Sequence, residues 1–213
     1  MNLKKQLTKA FVLSWLSLLG FGVMALLVER NQIIHFDSRI ISYIQGFEEP
    51  FLTTIMKSLS YIGGTIPVIV LSLLTIIFLY TVLKHRSELI LFIAVIIGSN
   101  LLFVSLKLLF HRARPDLHRL AEATNYSFPS GHATMAFALY SSLTFLFWRH
   151  IAKRTGRVML IIFAAFMILA IGISRIYLGV HYPSDIIAGY FISCFWLTLS
   201  IWIFQRYQER KNK

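Results

Sequence analysis

Charge, acid residues and cysteine are all scarce in this chain. Only 14% of its 213 residues are Asp, Glu, Lys or Arg, while 57% are hydrophobic. That balance excludes an ordinary soluble domain and puts the chain in the membrane class. The single cysteine, Cys194, lies inside an apolar run. It excludes an internal disulfide and a cysteine-rich metal site, and it reads as a small buried or lipid-facing residue. The acids number nine and are scattered, too few and too dispersed to build a two-metal centre. There is no soluble domain, long linker, low-complexity tract or clear internal repeat.

What is present is a series of long apolar segments. A membrane-crossing helix needs about 20 mostly apolar residues. Six stretches qualify: Ala10 to Val28, Thr65 to Leu83, Leu89 to Phe110, Ala133 to Trp148, Val158 to Ile173 and Ile186 to Phe204. They predict an all-α membrane protein, a single six-span domain covering residues 1–213. The first segment follows Lys4, Lys5 and Lys9, but it is long for a signal peptide and no A-x-A site follows, so an uncleaved anchor is expected. Between spans one and two, "IIHFDSRIISYIQGFEEPFLTTIMKSLSYIGG" mixes apolar and polar residues at near-helical spacing, divided by Pro50. It predicts two short interfacial helices packed over the bundle, with Ile33, Ile34, Ile40, Ile41 and Ile44 on one apolar face.

The formal net charge of +12 suggests a polyanion partner until its distribution is considered. With the N-terminus inside, six spans return the C-terminus inside, and 13 of the 21 Lys and Arg then fall on the inner side. Seven of the nine acids fall outside. The excess of basic residues is therefore a topology signal, with both termini cytoplasmic, and it needs no nucleic acid. Trp148, Tyr80 and Trp202 fit an aromatic belt at the inner boundary.

Three polar clusters then share the outer face. "KLLFHRARP" places Lys107 and Arg114 two helical turns apart on one face, with Pro115 ending the helix. Such a pair either holds an anion or snorkels to the interface. "PSGH", Pro129 to His132, has the composition of a helix start, where free N–H groups favour phosphate, although a plain capping turn would look the same. "SRIYLGVHYPSD" puts His181 four residues before Asp185. A carboxylate there can hold one ring nitrogen and leave the other nucleophilic, or the two can be a structural pair. Together, cations, an anion-binding helix start and an oriented histidine match what phosphoryl transfer requires.

These three stretches resemble the fingerprint of the type 2 phosphatidic acid phosphatase superfamily, K-x6-RP, then PSGH, then SR-x5-H-x3-D, complete and in order within Lys107 to Asp185. The span layout resembles its bacterial integral-membrane branch. The resemblance implies a lipid phosphatase of a bacterial cell membrane, needing no metal or other cofactor. His181 would form a phosphohistidine, Asp185 would orient it, and His132 would protonate the leaving group and then activate water. Lys107, Arg114 and Arg175 would grip the phosphate, with Ser130 and the Gly131 amide completing the cradle.

An outer-face site implies a substrate whose headgroup is already outside, since moving a phosphate across the bilayer is costly. Undecaprenyl diphosphate meets that condition, and phosphatidylglycerophosphate or phosphatidic acid is the alternative. A phosphotransferase would use the same residues, while a lipid or anion transporter would need the cations but not the oriented histidine.

The remaining polar residues read as structural. His35, His85, His118 and His150 are expected to be solvated or interfacial, and His111 and Arg112 fall at variable motif positions where a role in the site is not favoured. Ser99 and Asn100 read as helix-packing groups. Arg119 and Glu122 would touch a headgroup or each other, and Tyr126 and Phe128 would be buried at the interface.

Overall fold

The computed structural model describes residues 3–84, 86–116 and 118–211, with side chains from residue 8 onward. His85, Lys213 and the side chains of Lys4 and Lys5 lie outside the described residues. Eight helices and no strand make up the described chain: α1 (Leu3–Glu29), α2 (Ile34–Gln45), α3 (Pro50–Ile62), α4 (Thr65–Thr81), α5 (Arg86–Phe110), α6 (Gly131–Phe147), α7 (Arg154–Tyr177) and α8 (Pro183–Lys211). Each expected apolar segment falls on one helix, and the two expected short helices are α2 and α3.

The span count is less uniform than the sequence suggests. Four helices, α1, α5, α7 and α8, are long and apolar enough to cross a membrane. The pair α3 and α4, bent by 49° at Gly63 and Gly64, makes a fifth if it is taken as one span. Taken alone, α4 and α6 have 17 residues each. At 1.5 Å per residue they rise about 26 Å, short of a hydrocarbon core about 30 Å thick.

Burial explains how so short a helix as α6 can sit at the centre. It packs against α5, α7 and α8, burying Ala133, Thr134, Met135, Ala136, Ala138, Leu139 and Tyr140. The outer helices instead expose large apolar side chains, among them Leu19 on α1, Leu73 on α4, Leu101 on α5 and Phe166 on α7. Water would penalise these surfaces, and lipid solvates them. The protein is thus a multi-pass membrane protein.

Helices α2 and α3 pack against this bundle. Ile41 of α2 packs with Ala133, Ile176 and Ile186 of α6, α7 and α8. Tyr177, at the end of α7, is buried, and its hydroxyl lies 2.8 Å from Thr53 Oγ1 of α3. Gln45 Nε2 donates to the carbonyls of Tyr177 and His118. Two short helices with little independent stability are thereby fixed on the bundle by specific bonds as well as apolar contact.

Candidate active site

Chain direction brings four helix ends together: the C-termini of α5 and α7 and the N-termini of α6 and α8. Lys107 lies in the last turn of α5 and Arg175 in the last turn of α7. Gly131 and His132 open α6, and Asp185 sits in the first turn of α8. Arg114 and His181 come from the adjoining loops. Helix α5 ends at Phe110, so Arg114 does not share a helical face with Lys107 as expected; His111, with a left-handed φ of 48°, turns the chain toward the site instead. At the other loop Gly179 has φ 69°, and a Cβ there would fall 2.3 Å from the His118 carbonyl oxygen, so only glycine fits.

His181 is 1% exposed. Its Nδ1 lies 3.2 Å from Asp185 Oδ2, and its Nε2 lies 3.2 Å from Arg114 Nη1. A guanidinium can only donate, so Nε2 must be the acceptor and the ring proton must sit on Nδ1, facing Asp185. Two neighbours thus dictate one tautomer, with the unprotonated nitrogen toward Arg114. Burial, followed by the charges of Arg114, Arg175 and Lys107, holds the His181 pKa well below the ordinary histidine value, against a smaller opposing effect of the Ser127 backbone. The ring is therefore neutral at physiological pH and competent to attack.

Around it stand the expected cations. Arg114 is clamped by three carbonyls: Nη1 donates to Val180, Nη2 to Thr124 and Nε to Asn125. Lys107 Nζ donates to the Tyr126 carbonyl at 3.0 Å. Arg175 is 6% exposed and donates through Nη1 to Ser60 Oγ of α3. Among the described residues its buried Nε finds no acceptor, a donor that a phosphate oxygen would satisfy. Lys107, Arg114, Gly131, His132, Arg175 and His181 all line one cavity of about 600 Å³. The same cavity continues along Val68, Ile69 and Leu73 of α4 and Ile96, Ile97 and Leu101 of α5.

Other residues stand differently from expectation. Ser130 is fully buried and outside the cavity lining; it caps α6, accepting the Ala133 N–H, while its own N–H donates to the Asp185 carbonyl. The backbone of Gly131 is approached by Phe103, whose ring would lie 2.9 Å from an added Cβ. Asn100 lines the cavity rather than packing helices together, whereas Ser99 is fully buried. Arg119 pairs with Asp116 at 3.2 Å, not with Glu122, which lines the cavity. Phe128 is fully buried against Phe21 and Phe110, while Tyr126 is exposed and packs edge-on against His111. His35, His118 and His150 are exposed.

The largest departure is Arg112. It is no variable bystander, because its Nη1 donates to Asp185 Oδ1 at 2.6 Å and its Nη2 to Asp37 Oδ2 at 2.8 Å. Neither Arg112 nor Asp37 was expected at the site. Asp37 did carry a signal, since the spacing Ile33, Asp37, Ile41, Ile44 places a carboxylate in the middle of an apolar stripe.

Known proteins with this architecture bear on its chemistry. A model of the PAP2 superfamily matches residues 88–209. Phosphatidylglycerophosphatase B of Bacillus subtilis is 28% identical over 177 residues, spanning 81% of this chain and 85% of that one. An undecaprenyl-diphosphatase of Sulfolobus acidocaldarius is 28% identical over 202 residues, 89% and 90% of the two chains. In three dimensions, the crystal structure of the B. subtilis PAP2-type phosphatidylglycerolphosphate phosphatase superposes with a TM-score of 0.78 at 25% identity, covering 94% of this chain and 97% of that one.

Proposed function

We propose, from the premise that the chain belongs to the PAP2 superfamily and is a phosphoric monoester or diphosphate hydrolase, that it removes phosphate from a membrane lipid through a phosphohistidine. The observation that carries this reading is the continuous cavity. One end presents Lys107, Arg114, His132, Arg175 and His181, and the other runs between two lipid-facing helices. That shape suits a phosphate headgroup attached to an apolar chain.

In this mechanism the headgroup phosphate displaces Arg114 from His181 Nε2 and is held by the three cations, which neutralise its oxygens as charge develops. Nε2 attacks phosphorus in line, and the ring becomes cationic while Nδ1–H holds to Asp185. The N–P bond forms as the bond to the leaving oxygen breaks, and His132, made cationic by a proton that arrives with the anionic headgroup, gives that oxygen its proton. His132 then takes a proton from water, whose oxygen attacks phosphorus and releases phosphate and neutral His181. No step of this mechanism calls for a metal.

The leading substrate is undecaprenyl diphosphate, recycled to the monophosphate in cell-wall synthesis. This rests on the distribution of basic residues, which favours a single six-span domain with both termini cytoplasmic and the site extracytoplasmic. Phosphatidylglycerophosphate is the second reading, favoured by the likeness to the B. subtilis enzyme over most of both chains. Purified protein assayed with both lipids and phosphatidic acid, in EDTA, should release free phosphate from at least one and lose that activity in His181→Ala. Turnover by His181→Ala at the wild-type rate would refute the covalent mechanism. A phosphorylated acceptor formed in place of free phosphate would make the protein a transferase.

A further inference from the structure

We infer that Asp37, Arg112 and Ser184 form a positioning relay that sets the orientation and charge of Asp185, so that surface helix α2 takes part in activating the nucleophile. The inference rests on the reading of His181 as that nucleophile.

Asp37 is 1% exposed, a depth at which an unpaired carboxylate would be severely destabilising. It is fully engaged. Oδ1 accepts the Ser184 N–H at 2.9 Å, while Oδ2 accepts the Ser184 hydroxyl at 2.6 Å and Arg112 Nη2 at 2.8 Å. Arg112 divides its fork between two carboxylates, since its Nη1 reaches Asp185 Oδ1 and also donates to Ser184 Oγ at 2.8 Å. The guanidinium lies over the Tyr182 ring, 4.0 Å from its centroid. Asp185 is completed on its other oxygen by the Tyr182 N–H and His181 Nδ1. Asp37, Arg112 and Ser184 are all absent from the cavity lining, so none is placed to touch substrate.

The charges give this arrangement a purpose beyond anchoring α2. Asp185 paired with Arg112 alone would be a neutral couple, with little negative charge left for the imidazole. A second carboxylate on the far side of Arg112 restores one net negative charge behind His181. That charge matters most when Nε2 bonds to phosphorus and the ring turns cationic. The expected signature is a lower rate of phosphoryl transfer with unchanged lipid binding.

The test uses Asp37→Asn, which keeps the shape and removes the charge. Steady-state kinetics and quenched-flow measurement of the acid-labile phosphoenzyme would use 32P-labelled undecaprenyl diphosphate and 32P-labelled phosphatidic acid in detergent micelles. The expected result is a kcat lower by about tenfold to hundredfold, the size of effect seen for groups one contact removed from a functional histidine's own partner, as at metal-ligating histidines. KM should stay within about twofold, with phosphoenzyme formation slowed in proportion to kcat. Arg112→Lys, which keeps the charge but loses the planar fork that reaches both carboxylates, should recover only part of the kcat lost in Arg112→Ala. Ser184→Ala keeps the N–H and loses only the hydroxyl; its expected loss of about threefold in kcat gives a second reading should Asp37→Asn fold poorly. Wild-type kcat in folded Asp37→Asn or in Ser184→Ala, or a raised KM with kcat intact, overturns the relay. Activity persisting in His181→Ala would instead overturn the nucleophile, a distinguishable failure.

Discussion

The two sides of His181 are built on opposite electrostatic plans. Toward the cavity stand Lys107, Arg114 and Arg175, with Glu122 the only acid on the lining among the described residues. Behind the ring the charges alternate, Asp185, Arg112, Asp37, at contacts of 2.6 and 2.8 Å. The rear is complete as it stands, every carboxylate oxygen having a donor. The front is a crowd of like charges with one buried guanidinium nitrogen unsatisfied, and it becomes favourable only with an anion inside. A site that must bind and release phosphate many times needs this division. On the proposed mechanism, the face that changes occupant is left unbalanced, while the face that would aim the nucleophile is satisfied permanently.

Breaking the rear should show the largest effect. Asp185→Asn leaves a near-isosteric group but offers an amide where His181 Nδ1–H needs a carboxylate, and it also leaves Arg112 with one carboxylate, Asp37, in place of two. Loss of about 10³- to 10⁴-fold in kcat is expected, as for other histidines deprived of their orienting carboxylate, with KM little changed. Breaking the front should cost less in kcat but should also appear in binding. Arg175→Ala removes a donor aimed at a phosphate oxygen and is expected to lower kcat/KM about 10²- to 10³-fold. It should also weaken competitive inhibition by inorganic phosphate about tenfold or more. If the rear variant raised KM, or the front variant left phosphate inhibition intact, the two sides would not be divided in this way.

The front of the site was legible from the sequence, as was Asp185 behind the ring, but the rest of the rear, Arg112 and Asp37, was not, for a physical reason. Lys107, Arg114, His132, Arg175 and His181 are marked by residue type and short-range spacing on helix ends that topology brings together. Asp37 meets Arg112 across 75 positions and Ser184 across 147, separations at which no local period applies. Arg112 was masked further by its place inside a motif at a position that the motif leaves free. The left-handed turn at His111, which carries the chain on toward Arg112, has no glycine to announce it. The helices themselves were clear from hydropathy, since α1 and α4 to α8 each fall on an expected apolar segment. The number that cross the membrane was not, because α4 and α6 have only 17 residues each.

A milder change tests whether α3 supports the front as α2 supports the rear. Ser60 Oγ is the partner that the structure gives Arg175 Nη1. Ser60→Ala should leave that guanidinium loosely held and raise KM about threefold to tenfold, with kcat changed less, since a lost hydrogen bond to a charged group is worth about 1.5–3 kcal/mol at most. A change confined to kcat would mean that Ser60 bears on chemistry rather than on grip.

The smallest expected effect is on stability, and it sharpens the comparison by titration. Folded His181 has a pKa well below the ordinary value, first through burial and then through Arg114, Arg175 and Lys107. Unfolded, the same histidine titrates near the ordinary value of about 6.5. Between these two values the unfolded chain binds more protons than the folded one, so stability rises with pH in that window. The contribution is present above about pH 6.5 and is lost as pH falls toward the folded pKa, with a slope of at most about 1.4 kcal/mol per pH unit for one proton. Thermal unfolding in detergent should therefore show a steeper fall below pH 6.5 in the wild type than in His181→Gln. Inorganic phosphate should partly flatten the wild-type slope, because an anion among the three cations offsets the coulombic part, smaller than burial, of what opposes protonation of the ring. It should leave the slope of His181→Gln unchanged. If phosphate left the wild-type slope as steep as before, the cations at the front would not help to hold His181 neutral, and burial alone would account for its state.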